Sequence, residues 1–385
     1  MEKRSFSLSH LSAGFAAVVV GYTSSVVIII QAATSAGASP LQISSWLLAL
    51  GVAMGLTSIG FSWGFKVPVL TAWSTPGAAM LIGVVGSYEL PVIIGAFVIS
   101  GIFLLLTGVI TPLSRMLEKV PAQLATAMLA AILLPFCLKA FNPVTTSPAI
   151  FFSMFFSFVL AKRFVPRYSM VILLTVAMVC AGASGVFNHL EIKAAVARPM
   201  WVTPEFDFMA MLNLSLPLYV ITMLSQNLPG IAMMKSYRYE TPVKPILVGT
   251  GLTNVLFAPL GGFSVNLAAI SAAMCMNEEV DSDRANRYRA AIWAGVFYLL
   301  AGFWATTVVT LFLALPTEVS QILAGLALLG TLLMCLKTAF ADLRYRESAL
   351  LTFLLTLSGI SFLGIGSTLW GLLAGLIHYR FMKTD

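Results

Sequence analysis

The chain has 385 residues, 59% of them hydrophobic and 10% charged, against roughly 45–50% and about 25% in a soluble domain. That balance excludes a soluble globular enzyme, a disordered chain and a secreted disulfide scaffold, and leaves a polytopic helical membrane protein. The net charge of +7 is no nucleic-acid signal here, because in a membrane protein the basic excess collects in the loops on one side.

A membrane helix needs about 20 apolar residues. Cutting the chain at charges, Pro and Gly predicts fourteen segments: 11–36, 42–61, 67–85, 91–113, 121–138, 148–161, 168–186, 209–234, 244–258, 263–276, 289–314, 317–336, 348–359 and 361–381. Lys3 and Arg4 mimic the start of a signal peptide, but the run behind them is too long for a signal core. With the N-terminus inside, all of the 22 basic residues except Lys139, Lys193 and Arg198 fall on the inner side. This asymmetry marks cytoplasmic loops and puts both termini in the cytoplasm. One membrane domain covers 1–385.

Chemistry-bearing residues are few. Cys137, Cys180, Cys275 and Cys335 share no metal-type spacing and read as packing. No span holds paired carboxylates or an HExxH pattern. Residues 182–185 match the GxSG of intramembrane serine proteases, but Ser184 and His378 fall near opposite faces, so no dyad forms. His10 and His189 sit at span ends or in loops and are assigned no chemistry. No catalytic residue, metal or cofactor is expected. Gly51 and Gly55, and Gly371 and Gly375, at four-residue spacing read as helix packing.

The chain resembles itself at a shift of about 195 residues. Residues 120–124 meet 315–319, and Gln31 meets Gln226; at 191, Pro68 meets Pro259, Thr75 meets Asn266 and Ala78 meets Ala269. The halves are 11–186 and 209–381. Seven segments per half is odd, so the second half is inverted, as in many secondary transporters.

Two stretches at matching places break the helical pattern, 66–80 and 258–269. Each opens with Pro and then passes into a small-residue helix. Residues 67–75 and 259–266 are therefore expected to be extended, each followed by a half-helix. Thr75 and Asn266 are the expected N-caps, and Pro76 fits a first helical turn. Irregular backbone at membrane depth survives only inside protein or beside a cavity. Two half-helix N-termini facing one cavity favour an anion. Gln226 and Asn227 in an apolar helix are either interhelical glue or a binding pair. Trp73 and Phe263, flanking the breaks, are either packing or a flat wall for an aromatic ring.

At these residues the sequence resembles the BenE family of benzoate/proton symporters. The resemblance is carried by PVLTAWSTPGAAM (68–80), SQNLPGIA (225–232), GLTNVLFAPLGGFSVNLAAISAAM (251–274) and AGVFYLLAGF (294–303). It implies an all-α fold similar to the uracil transporter UraA. That fold has fourteen transmembrane segments as 7+7 inverted repeats, a core and a gate domain, and short strands in segments three and ten. Substrate would lie between segments one, three, eight and ten. The carry-over falls on Thr71, Trp73, Ser74, Thr75 and Gly77; on Phe263, Ser264, Val265 and Asn266; on Ser225, Gln226 and Asn227; and on Tyr22 and Gln31 in segment one. Nucleobase symporters of this fold carry acids where this chain has Ser225 and Val265. An uncharged pocket suits a carboxylate better than a neutral base.

The expectation is a secondary active transporter of aromatic carboxylates, benzoate with a proton, in the bacterial inner membrane. Its partners are benzoate, a proton and the bilayer, and a homodimer is compatible with it. Another small anion, a nucleobase on the same fold, or an uncoupled channel remain open. Every Asp and Glu falls in a loop or at a span end. The proton therefore rides on the substrate carboxyl, on an end-of-span acid such as Glu89, or not at all.

Overall fold

The computed structural model describes residues 8–110, 121–183, 185, 195–268 and 270–382. Ser184, His189, Ala269, Lys3, Arg4 and Lys193, weighed above, lie outside them.

The chain opens with α1 (Leu8–Thr23) and α2 (Val26–Ser35), bent by 40°. At the bend the hydroxyls of Thr23, Ser24 and Ser25 donate to the carbonyls of Val19 and Gly21 at 2.6–3.0 Å, a competition that bends helices. α3 (Pro40–Phe65) starts on a capping box between Ser39 and Gln42. β1 (Thr71–Trp73) passes through Ser74 into α4 (Thr75–Val84), and α5 (Leu90–Val109) follows. α6 (Ala122–Lys139), α7 (Pro148–Phe164) and α8 (Ser169–Ala183) complete the first half.

α9 (Phe208–Ser236) is one long helix with π turns at Met211–Ser215 and Met223–Asn227. Pro217 and Pro229 each follow a π turn by two residues. A widened turn accommodates a ring that cannot donate and would strike the preceding carbonyl. Then come α10 (Val243–Phe257), β2 (Val265–Leu267) and the short α11 (Ile270–Met276). α12 (Tyr288–Phe303), α13 (Ala305–Leu313), α14 (Thr317–Ala339) and α15 (Arg346–Leu357) lead to a hairpin, β3 (Ser361–Phe362) with β4 (Ile365–Gly366), and to α16 (Ser367–Met382).

Among the described residues, six helices are long and apolar enough to cross a bilayer, or up to eight if each bent pair is one span. Three runs expected as single helices are not. The run 11–36 bends at Ser24–Ser25, and 289–314 bends by 62° at Trp304. The run 361–381 begins with the hairpin, where Leu363 and Gly364 take positive φ of 55° and 76°. Apolar composition set those boundaries, and composition does not register where a backbone turns. The stretch 259–266 also differs, since Ala258–Leu260 is a 3₁₀ turn and the strand starts at Val265.

The helices form two bundles. α1–α5 pack with α9–α13, most closely α3 on α12 and α5 on α10; α6–α8 pack with α14–α16, led by α6 on α14 and α15 on α16. Each bundle draws on both halves of the chain. Small residues let the backbones touch. A Cβ on Gly51 would lie 2.6 Å from Gly302 Cα, and one on Gly55 would lie 2.8 Å from the Gly295 carbonyl oxygen. Gly371 and Gly375 sit equally close to Thr352 and Thr356 of α15. The glycine pairs singled out above are thus contact points between helices.

Gly51→Ala is expected to lower the thermal midpoint in detergent, because backbone rather than a mobile side chain blocks the added methyl, and overpacking costs about 1–3 kcal/mol. Gly60→Ala, on the same helix with open space around it, leaves the midpoint unchanged or raises it.

Candidate functional site

The two breaks meet as a two-stranded antiparallel ladder. Thr71 pairs with Leu267, Ala72 with Asn266 and Trp73 with Val265. Ser74 N–H to the Ser264 carbonyl (3.0 Å) and Ala268 N–H to the Leu70 carbonyl (2.9 Å) extend it at both ends. Because the strands are antiparallel, α4 and α11 leave the ladder from opposite ends. Their N-termini stand apart by about the ladder's length, roughly 10 Å.

So short a ladder has two edges whose polar groups need partners inside the protein. Side chains from three helices supply them. Ser62 of α3 donates to the Val69 carbonyl (2.9 Å) and accepts from Val69 N–H (3.1 Å). Ser58 accepts from Thr71 N–H (3.0 Å), and the Thr71 hydroxyl joins Thr57, Ser58 and the Met54 carbonyl at 2.7–3.1 Å. On β2, the Asn254 amide of α10 holds both backbone groups of Val265, at 2.7 and 3.1 Å. Asn227 Oδ1 of α9 accepts from Leu267 N–H at 3.0 Å.

Around the ladder the expected site residues divide by what their polar atoms do. Thr71, Asn227 and the Val265 backbone hold the scaffold. Ser225 donates to its own helix at Ile221 (2.6 Å). Gly77 is a close approach to Leu218 of α9. Phe263 is fully buried against Trp46 and Phe97, at ring distances of 5.8 and 5.0 Å, so it packs behind the ladder. Ser74, not Thr75, caps α4, its hydroxyl accepting from Gly77 N–H at 3.0 Å. Asn266 is not a cap either. It lies within β2, and its Nδ2 donates to the Ser264 carbonyl at 2.7 Å.

What remains is unpartnered. Asn266 Oδ1, Ser264 Oγ and the Tyr22 hydroxyl are buried and have no hydrogen-bond partner among the described residues. Ala72 and Asn266, opposite each other, share one face of the ladder, and Ala72 is the strand residue with partial exposure. Ser264 holds φ at 46°, a left-handed conformation that costs a non-glycine residue energy and collects at functional sites. Trp73 donates to Ser25 at the bend between α1 and α2 (2.8 Å), and its ring stands 5.0 Å from Tyr22. Gln226 is half-buried on a π turn that packs against β2 and α6. Tyr22, Ser25 and Trp73 thus come together where the first segment bends, and Asn266 lies on the strand that pairs with that of Trp73.

Cavities of about 440 and about 410 Å³ lie on either side of that bend. The first is lined by Ser9 to Ala16 of α1, by Ala273 and Met274 of α11, and by Tyr168 before α8. The second is lined by α2 from Val27 to Ser35, with Ile82, Lys139 and Gln321. Gln31 belongs to this second cavity and not to the ladder. Both cavities run along the seam between the bundles.

Several residues escaped the sequence reading. Ser58, Ser62 and Asn254 carry the ladder; their signal was polar side chains in apolar helices, Asn254 twelve residues before Asn266. Ser25 marks the bend. His10, assigned no chemistry, is buried with Nε2 3.1 Å from Asp281 Oδ2, beside the first cavity. His378 pairs with Ser348 at 2.9 Å. Among the described residues every Asp and Glu lies at or beyond a helix end, and no group of three or more His, Cys, Asp or Glu could hold a metal.

The sequence profile of the family described as benzoate membrane transport protein, BenE, matches residues 4–381. Inner membrane protein YdcO of Escherichia coli (strain K12) is 42% identical over 369 residues, covering 96% of this chain and 94% of that one. The benzoate membrane transport protein of Acinetobacter baylyi is 37% identical over 377 residues, covering 98% and 96%. Among solved structures, the transmembrane domain of a cyanobacterium bicarbonate transporter, BicA, superposes with a TM-score of 0.63 at 14% identity over 98% of both chains. The murine solute carrier 26 family member A9 anion transporter, inward-facing, gives 0.62 at 12% identity, covering 99% of this chain and 69% of that one. The all-α fold with a short strand at each break, anticipated from the uracil transporter, is the fold found, and the family profile and the Acinetobacter relative are described as benzoate membrane transport proteins, not as enzymes.

Asn254→Leu keeps the size of the side chain but strands two buried backbone groups of Val265, at about 1–3 kcal/mol each. It is expected to lower the folded yield and the thermal midpoint in detergent. An unchanged midpoint would show that the ladder does not depend on this amide.

Proposed function

The chain belongs to the BenE family of benzoate membrane transport proteins, and on that premise we propose that it is a secondary active transporter carrying benzoate, or a close aromatic carboxylate, together with a proton. Its place in this reading is the bacterial inner membrane, with both termini cytoplasmic. The asymmetry of its basic residues supports that orientation. The first cavity is then the inner one and the second the outer one.

The observation that carries the reading is the set of buried, unpartnered polar atoms at the break: Asn266 Oδ1 and Ser264 Oγ. Asn266 Oδ1 can only accept. It suits a carboxyl that still holds its proton, whose O–H donates to the amide oxygen while its carbonyl accepts from a hydroxyl. The Tyr22 and Trp73 rings offer a flat surface for the aromatic part. The α4 N-terminus adds a positive dipole end, although its Gly77 N–H is already taken by Ser74. No ionised side chain on the ladder, on α4 or on the π turn competes. Burial favours the protonated form of a carboxylic acid, so the substrate itself carries the proton.

Cavities on both sides of one break, both at the seam between the bundles, support alternating access by movement of one bundle against the other. The repeats 11–186 and 209–381 supply one strand each to the ladder, which supports their inverted relation. The neutral residues Ser225 and Val265, where nucleobase symporters carry acids, disfavour a nucleobase.

Counterflow of labelled benzoate in proteoliposomes tests transport. Saturable counterflow is expected; its absence removes the reading. Gln226→Ala and Asn266→Ala are each expected to weaken benzoate binding roughly tenfold, the loss of one polar anchor worth about 1–3 kcal/mol, with no fall in thermal midpoint. If both bind benzoate like wild type, these amides only pack.

For coupling, Glu89→Gln, Glu240→Gln, Glu318→Gln and His10→Gln are each expected to keep uptake driven by a pH gradient. A variant that loses gradient-driven uptake but keeps counterflow would make a protein group the proton carrier.

A further inference from the structure

Lys139 is one of three basic residues that depart from the charge asymmetry, since the segment order puts it on the outer side. It ends α6, with Nζ 5.9 Å from the Phe136 ring centroid. It is exposed, and no described carboxylate lies within 4.0 Å of it. A cation in the last turn of a helix complements the dipole, but that does not account for what surrounds this one. The cavity it lines holds two amides from two other helices, Gln31 of α2 and Gln321 of α14, and apolar walls from Phe136, Phe312 and Ile82. Its volume of about 410 Å³ falls in the range of small-molecule sites, about 300–1,000 Å³.

We propose that this cavity is an outer capture site for the ionised aromatic carboxylate, separate from the site at the break. The carboxylate lies against Lys139 Nζ and the amide N–H groups of Gln31 and Gln321, and the ring lies among Phe136, Phe312 and Ile82. An inorganic anion would gain nothing from the apolar walls, and an uncharged aromatic would lose the ion pair with the cation. A free carboxylic acid is ionised in neutral solution, so a cation suits the first encounter. The neutral break suits the protonated form. Between the two the carboxylate takes up one proton from the outer solution, and α2 connects the sites, running from the bend at Ser25 to the cavity wall at Gln31 and Ser35. The proposal rests on the reading of the substrate as an aromatic carboxylate.

The test uses the full chain in right-side-out and everted membrane vesicles with labelled benzoate. Lys139→Gln is expected to raise the half-saturating external benzoate about fivefold at low salt, the scale of an exposed ion pair, with the maximal rate unchanged. Lys139→Arg stays near wild type. The difference shrinks at high salt, where exposed charges are screened, and everted vesicles show none. A second readout needs no turnover: benzoate, but not benzyl alcohol, slows labelling of Gln321→Cys by a membrane-impermeant maleimide. Unchanged external half-saturation in Lys139→Gln, or no protection by benzoate, overturns the proposal. Protection in a protein that carries no benzoate would keep the capture site and remove the transport reading instead.

Discussion

Two three-residue strands inside a membrane bundle leave polar backbone groups that neither water nor a wider sheet can pair. Everything else at the centre of this protein answers that constraint. Ser58 and Ser62 serve the outer edge of the first strand, and Asn254 and Asn227 serve the second. An unpaired buried amide or carbonyl costs about 1–3 kcal/mol, and these four side chains pair six such groups, so losing them all would cost about as much as the 5–15 kcal/mol by which folded proteins are usually stable. The polar side chains in α3, α9 and α10 are therefore structural first.

That requirement explains why so few of the polar residues near the break are available to a ligand. Thr71 and Asn227 look like ligands in sequence and act as ties in the fold. Asn266 on the second strand and Ser264 just before it each leave an oxygen without a partner among the described residues. The chain also accepts backbone strain here, with Ser264 at φ 46°, while Gly261 takes φ 90° without steric cost. A Cβ at Gly261 would collide with the Trp46 ring, so only glycine fits. A left-handed serine beside two unpaired oxygens, next to a ladder whose edges are tied by side chains, sets this junction apart from packing.

The bundles give the junction its setting. Small residues lock α3 onto α12 within one bundle, while the cavities lie along the seam with the other. Rigid contacts inside each bundle and open space between them suit relative movement, and the ladder sits wholly in one of them. A substrate held there would travel with that bundle.

Composition and the period of apolar runs determined that this chain is a helical membrane protein, because burial in lipid demands long stretches without charge. Clustered Pro and Gly at 66–80 and 258–269 located both breaks, because several together remove helix hydrogen bonds and favour turns at one place. The bends at Ser24–Ser25 and Trp304 and the hairpin at 361–366 were not legible, because serine, tryptophan and small residues are also ordinary in helices. Nor could sequence tell the Asn227 that ties a strand from the Asn266 that keeps a free oxygen, or send Gln31 to the second cavity instead of the ladder. Those assignments depend on which groups three helices bring within about 3 Å of a strand edge, and hydrogen bonds at that range are fixed by tertiary packing, not by residue type.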